Sequence, residues 1–463
     1  MNRGLFVTKG KDSETCTSYD LRENRVEGSV STSAELKGLE TRTLRKVKWR
    51  LLPFSLLIFI ICYIDRANIG YAALEMNTAL GINSAAFGLV IGIFFLGYGP
   101  FEVPSNLLFY RYGARRWISR IMVTWGVVAV ITGLIQNVHQ LYVLRFLLGV
   151  AEAGFWPGIL LYFTFWFPQT LRSQAVAILQ AGVPIASFIG APIATLILDH
   201  IRWTGIESWR WVFILEGLPA VVMGVVVFYY LTDRPEQAKW LSPAERNWLV
   251  AVKQKEHQAK VQVRQYTKLQ AFLSPRVWRL AIIYFSMSSV QSTIVFWLPT
   301  IIKGVSRTLT NTAVGLLTMI PYFFTVITMI LWSRHSDRTG ERKFHAALAP
   351  LIAMCGLGLF GLASGLPVKI VGMTIALIGI YCFHGPFWSL PAQFLSEGAA
   401  AVALSTISSV GMLAGFFGSV VVGYLRSATG NMNSSLYFLG SLLVLNFLLI
   451  LTMRIPKDKK ELL

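Results

Sequence analysis

The chain has 463 residues, of which 54% are hydrophobic and 14% are charged. A soluble globular protein usually carries about 25% charge, so this composition excludes an ordinary soluble fold and points to a bilayer as solvent. The net charge of +19 would suggest nucleic acid in a soluble chain, but here Lys and Arg retained in loops on one membrane side account for it, and no nucleic-acid partner is expected.

Residues 1–44 are rich in Ser, Thr, Glu and Lys and read as a disordered tail with no signal-peptide core. Apolar runs then recur near 51–74, 86–109, 117–137, 141–166, 174–199, 211–231, 277–302, 311–333, 344–364, 367–391, 400–424 and 435–454. Each is close to the ~20 residues needed to cross the hydrocarbon, which predicts an all-α membrane protein of twelve spans.

Basic residues set the orientation. Arg45, Lys46 and Lys48 precede span 1; Arg111, Arg115 and Arg116 follow span 2; Arg338, Arg342 and Lys343 follow span 8; Lys457, Lys459 and Lys460 close the chain. Alternating spans place all of these on one side, so both termini are expected in the cytoplasm. The long loop 232–275 separates two six-span halves, 45–231 and 276–455, with 456–463 as a C-terminal tail. Within the loop, Ser242 before Pro243 and Glu245 reads as a capped helix start. "RYGARR" after span 2 and "RTGERK" after span 8 share one offset, as expected for repeated halves of a carrier with its site between them.

Span 1 contains "CYIDRANIG". A charge at the bilayer centre costs at least ~2.5–3.5 kcal/mol, so Asp65 and Arg66 must face partners or a cavity. They point about 100° apart and want different partners. Span 4 offers Arg145 and Glu152, two turns apart on one face. The economical arrangement pairs Arg145 with Asp65. It leaves Arg66, with Tyr63 nearby, as a cation facing the cavity, and Glu152 as a desolvated carboxylate suited to proton exchange. Gly149, Ala151, Ala153 and Gly154 read as close-packing positions. Gln180, Gln291 and His384 are candidate wall residues, and Arg111, Arg115, Asp337 and Arg338 a candidate cytoplasmic gate. Gly340 allows a tight turn after span 8. Cys62, Cys355 and Cys382 read as small core residues. No metal site, cofactor loop or catalytic constellation is expected; "HSDRTGERKFH" has two histidines ten apart without matching ligands.

Four stretches carry a family resemblance: "YIDRANIG", "PSNLLFYRYGARRW", "LRFLLGVAEAGFWPGILLYFTFWFP" and the span 10–11 run beginning "GPFWSLPAQF". Over about 48–455 the chain resembles the major facilitator superfamily and, within it, the anion:cation symporters. The resemblance implies uptake of an organic carboxylate with protons, as in carriers of tartrate, galactonate, phthalate or 4-hydroxyphenylacetate. It implies that Arg66 and Tyr63 hold the substrate carboxylate and that Asp65, Glu152 and Arg145 couple protons. A monomer without cofactor, in contact with lipid, substrate and protons, is expected. Tyr110 stands where the superfamily loop has an Asp, which predicts a weaker first gate. Ser408 and Val183 replace polar cavity positions of relatives, which disfavours a polyhydroxy acid and favours an aromatic or short carboxylate. Facilitated diffusion or export of a related anion, and a non-transporting sensor, are the alternatives.

Overall fold

The computed structural model describes residues 20–261, 274–306, 308–391 and 397–453. They form the expected helices. Span 1 lies in Asp20–Ala79, span 2 in Ser84–Tyr112, span 3 in Ala114–Thr132, span 5 in Gln169–His200 and span 6 in Ser208–Tyr230. Spans 7, 8 and 9 are Pro275–Val305, Asn311–Thr339 and Lys343–Leu362, and spans 11 and 12 are Glu397–Thr429 and Met432–Leu451. Spans 4 and 10 are each broken into two helices, Val138–Glu152 with Phe155–Trp166, and Leu366–Cys382 with His384–Ser389. Among the described residues, eleven of the twelve are long and apolar enough to cross a membrane by length and composition. Span 3 is the exception, because Arg115, Arg116 and Arg120 dilute its first turns.

Packing follows a repeated scheme. Span 3 lies on span 6 as span 9 lies on span 12; span 2 lies on span 4 as span 8 lies on span 10; span 1 lies on span 5 as span 7 lies on span 11. Spans 2, 5 and 1 meet spans 11, 8 and 7 of the other half. Glycine makes these crossings possible. A Cβ on Gly70 would sit 2.6 Å from the Phe296 carbonyl oxygen, and one on Gly88 would sit 2.5 Å from that of Ser419.

The tail reading needs correction over residues 20–44. They are helical and continue into span 1; residues 1–19 and 454–463 lie outside the described residues. Next to span 1 the helix has tertiary support. Thr43 and Val47 are buried, and Lys46 reaches Glu245 at 2.8 Å on the linker helix Pro243–Val261. The Ser242 cap forms as expected: its N–H donates to Glu245 Oε2 at 2.9 Å, and the Glu245 N–H donates back to Ser242 Oγ at 3.3 Å. Burial alone would push the Glu245 carboxyl up, but the Lys46 ammonium and the Ser242 N–H outweigh it and hold it below the ordinary carboxylate range. Cys62 and Cys382 are buried, whereas Cys355 is exposed on span 9, so the core reading fails there.

The two halves touch at the end away from the basic loops. There Asn311 Nδ2 donates to Glu75 Oε1 at 2.8 Å, and both the N–H and the hydroxyl of Thr312 donate to Asp199 Oδ2, at 2.6 and 2.7 Å. Phe87 meets Trp297 edge-on at 5.0 Å, and Phe188 lies 6.0 Å from Phe323. Toward the basic end span 2 loses this cover, and Phe101, Val103, Leu107, Tyr110 and Tyr112 are exposed around more than half of its circumference. The interior cleft therefore opens at the basic end. Asp199 ties span 5 to the N-terminus of span 8, where unpaired N–H groups attract a carboxylate. Asp199→Ala should cost the closed contact about 1–3 kcal/mol by leaving the Thr312 donors unpaired. Spin-label distances between the far ends of spans 5 and 8 should then show a new, longer population. An unchanged distribution would mean the latch is redundant.

Candidate functional site

The break in span 4 sets the site. The first helix ends at Glu152; Ala153 is extended and Gly154 takes a left-handed φ of +88° before Phe155 restarts the helix. A Cβ on Gly154 would also strike Ser105, so the position demands glycine for its conformation as well as its size. Gly149 has the packing role expected of it, since a Cβ there would strike the Phe94 carbonyl of span 2. The break places a carboxylate at a helix C-terminus inside the membrane, where the helix dipole disfavours negative charge. Glu152 is fully buried and therefore needs a cation or a proton.

Arg66 supplies the cation. Its Nη2 and Nε donate to Glu152 Oε2 at 2.5 and 3.1 Å, while Oε1 has no partner among the described residues. The guanidinium carbon lies 5.0, 5.1 and 5.3 Å from the ring centres of Tyr63, Phe94 and Tyr98. This aromatic cage favours a cation at a fixed place. The Arg66 side chain remains 12% exposed.

These contacts correct the predicted pairing. Arg66 is bound to Glu152 rather than left facing the cavity, and Arg145 does not close on Asp65. Arg145 is buried, its Nε donates to the Val90 carbonyl at 3.4 Å, its guanidinium carbon lies 5.0 Å from the Phe94 ring centre, and both terminal nitrogens lack hydrogen-bond partners among the described residues. Asp65 accepts from Asn68 Nδ2 at 3.1 Å on its own helix. Asp65 and Asn68, three residues apart, share the face toward span 6, and Arg66 lies on the face toward span 4. Which neighbour each face meets is set by packing, so spacing within the helix could not reveal it.

The other predicted residues fall in place as follows. Gln180 and Gln291 are half-buried on spans 5 and 7. His384 stands at the break of span 10, 6.1 Å from the Tyr284 ring and 6.3 Å from that of Tyr381, with Nε2 unpartnered. Val183 is buried. At the basic end, Arg111 and Arg115 lie over the rings of Tyr112 and Phe228, and Asp337 pairs with Arg342, leaving Arg338 exposed. Gly340 ends span 8 in the left-handed region, as the turn required. His335 Nδ1 lies 2.8 Å from His345 Nε2 across that turn. Sequence reading missed Asp233, whose Oδ1 accepts from the Arg115 N–H at 2.7 Å and caps span 3. It also missed Glu216, a buried carboxylate on span 6. An acidic residue within an apolar run was the available signal.

A twelve-helix bundle in two halves, with a cleft open at one end and buried charges on broken helices at its centre, defines a multi-pass membrane carrier rather than an enzyme. Residues 55–419 match the Major Facilitator Superfamily, and the chain belongs to that family. It is 45% identical over 415 residues to a "Putative tartrate transporter" of Agrobacterium vitis, covering 90% of this chain and 95% of the relative. It is 37% identical over 413 residues to a "Quinolone resistance transporter" of Acinetobacter baumannii, with 89% and 94% covered. The inward-open xylose transporter XylE of E. coli superposes with a TM-score of 0.71 at 15% identity, over 89% of this chain and 97% of that one, a likeness of fold alone.

Proposed function

We propose that this protein takes up an organic carboxylate together with a proton by alternating access, with the basic end in the cytoplasm. The observation that carries the reading is the Arg66–Glu152 pair at 2.5 Å beside the cleft. One guanidinium serves two carboxylates, that of Glu152 and that of the solute, and cannot grip both in the same way. A proton on Glu152 releases Arg66 for the solute. Loss of that proton toward the cytoplasm lets Glu152 retake Arg66 and expel the anion. On this reading the paired arrangement of Arg66 and Glu152 belongs to the state that has released its solute toward the cytoplasm.

The name of the Agrobacterium relative supports a short hydroxy acid of the tartrate type as the first solute to test. The quinolone-named relative favours, as second reading, export of a related anion through the same site. Counterflow in proteoliposomes with radiolabelled carboxylates tests the class, and an inward-directed pH gradient tests direction. Exchange of no carboxylate would overturn the first reading, and accumulation driven only by the opposite gradient would favour the second.

Orientation has its own test. A cysteine engineered at 140 should react with an impermeant reagent from outside, and one at 334 should not. Labelling of both from outside would reverse or refute the topology.

A further inference from the structure

Three carboxylates lie in the buried centre of the N-terminal half, Asp65, Glu152 and Glu216, against two guanidiniums, Arg66 and Arg145. Ionised throughout, the cluster would hold one uncompensated negative charge in a medium where such a charge is expensive. Its members are not equally provided for. Glu152 has Arg66, and Asp65 has the Asn68 amide and the charge of Arg145 nearby. Among the described residues Glu216, 5% exposed, has no cation within ion-pair distance, and neither oxygen makes a hydrogen bond of regular geometry; the Asn68 amide is the polar group within its reach. The second oddity is adjacent. Asn68 Oδ1 is also buried and unpartnered, and Asn68 lies beside Glu216. An acid and an amide oxygen side by side, each without a regular hydrogen bond, can both be satisfied by one proton.

We propose that Glu216 carries a proton in the solute-free state and donates its O–H to Asn68 Oδ1, so that the Asn68 amide is held with Nδ2 toward Asp65. Glu216 is thus a positioning residue, acting through Asn68 on Asp65. Asp65 is the other carboxylate that faces it, and Asp65 already accepts from the Asn68 amide. Span 1 presents Asp65, Asn68 and Tyr71 to it. The charged residues of span 3, Arg115, Arg116 and Arg120, lie toward the basic end, while the neighbouring Gly217 packs on Gly126 and Ala129. On span 5 the ionisable groups, Arg172, Asp199 and His200, lie near the two ends of the helix. The proton on Glu216 does not depend on the transport reading; its part in coupling rests on the proton-symport reading above.

Infrared difference spectra of the solute-free protein in detergent at mildly alkaline pH separate the two. A protonated-carboxyl band should be present in the wild type, lose one component in Glu216→Gln and show that component shifted in Glu216→Asp. A wild-type spectrum without the band, or a band untouched by both variants, overturns the inference whether or not transport is proton-driven. For the positioning role, pH-driven accumulation is compared across variants. Glu216→Leu removes the donor, frees the amide and leaves ionised Asp65 less well solvated, so the pH midpoint of transport should move upward. Glu216→Gln restores a donor and should hold the midpoint near that of the wild type. A midpoint unmoved by Leu, or moved equally by Gln, removes Glu216 from the positioning of Asp65.

Discussion

Glu152→Gln should leave exchange of solute intact and abolish accumulation driven by a pH gradient. The substitution fixes the neutral form of the side chain, removes the carboxylate that competes for Arg66 and keeps an amide of the same size at the span 4 break. A gradient of one pH unit stores about 1.4 kcal/mol, enough for a one-proton symporter to hold about a tenfold gradient of a monoanion. The wild type should approach that ratio and the variant should stay near equality. Solute affinity in the variant should no longer fall as pH rises, because Glu152 can no longer ionise and recapture the guanidinium. Measurement pairs pH-driven uptake with exchange at equal pH on both sides. Accumulation by Glu152→Gln equal to that of the wild type would move the coupling proton to another carboxylate, with Asp65 the next candidate.

Arg66→Lys should weaken solute binding by about 10–100-fold, since a hydrogen bond to a charged group contributes about 1.5–3 kcal/mol and an ammonium cannot reproduce the paired donors. The guanidinium presents Nε and Nη2 together to one carboxylate oxygen and stacks among Tyr63, Phe94 and Tyr98. Lysine retains the charge, so Glu152 is not stranded and folding should survive. Truncation to alanine would instead leave a buried carboxylate unpaired at a cost of about 3–5 kcal/mol. Equilibrium binding by scintillation proximity, with thermal unfolding as control, checks the expectation. Wild-type affinity in a well-folded lysine variant would take Arg66 out of the solute site.

The spans, their number and the presence of costly charges at Asp65, Arg66, Arg145 and Glu152 were all legible in the sequence, because the length of an apolar run and the exclusion of charge from lipid are local properties. The Ser242 cap and the Gly340 turn were legible for the same reason, since each is complete within a few residues. Partnership was not legible. Asp65 and Arg66 are neighbours in the chain, yet one turns to Asn68 and span 6 and the other to Glu152 on span 4. The break after Glu152 was hidden as well, because "GVAEAGFWPG" reads as small packing residues until the left-handed Gly154 is seen against Ser105. Glu75 and Asp199, which close the far end, lie 236 and 113 residues from their partners Asn311 and Thr312, and all four look like ordinary polar residues at helix ends. The sequence by itself determined which residues are too polar for lipid and where the chain must cross. Only the tertiary structure decided which charge meets which, because that depends on the rotation of each helix against its neighbours, and a helix's own periodicity carries no record of them.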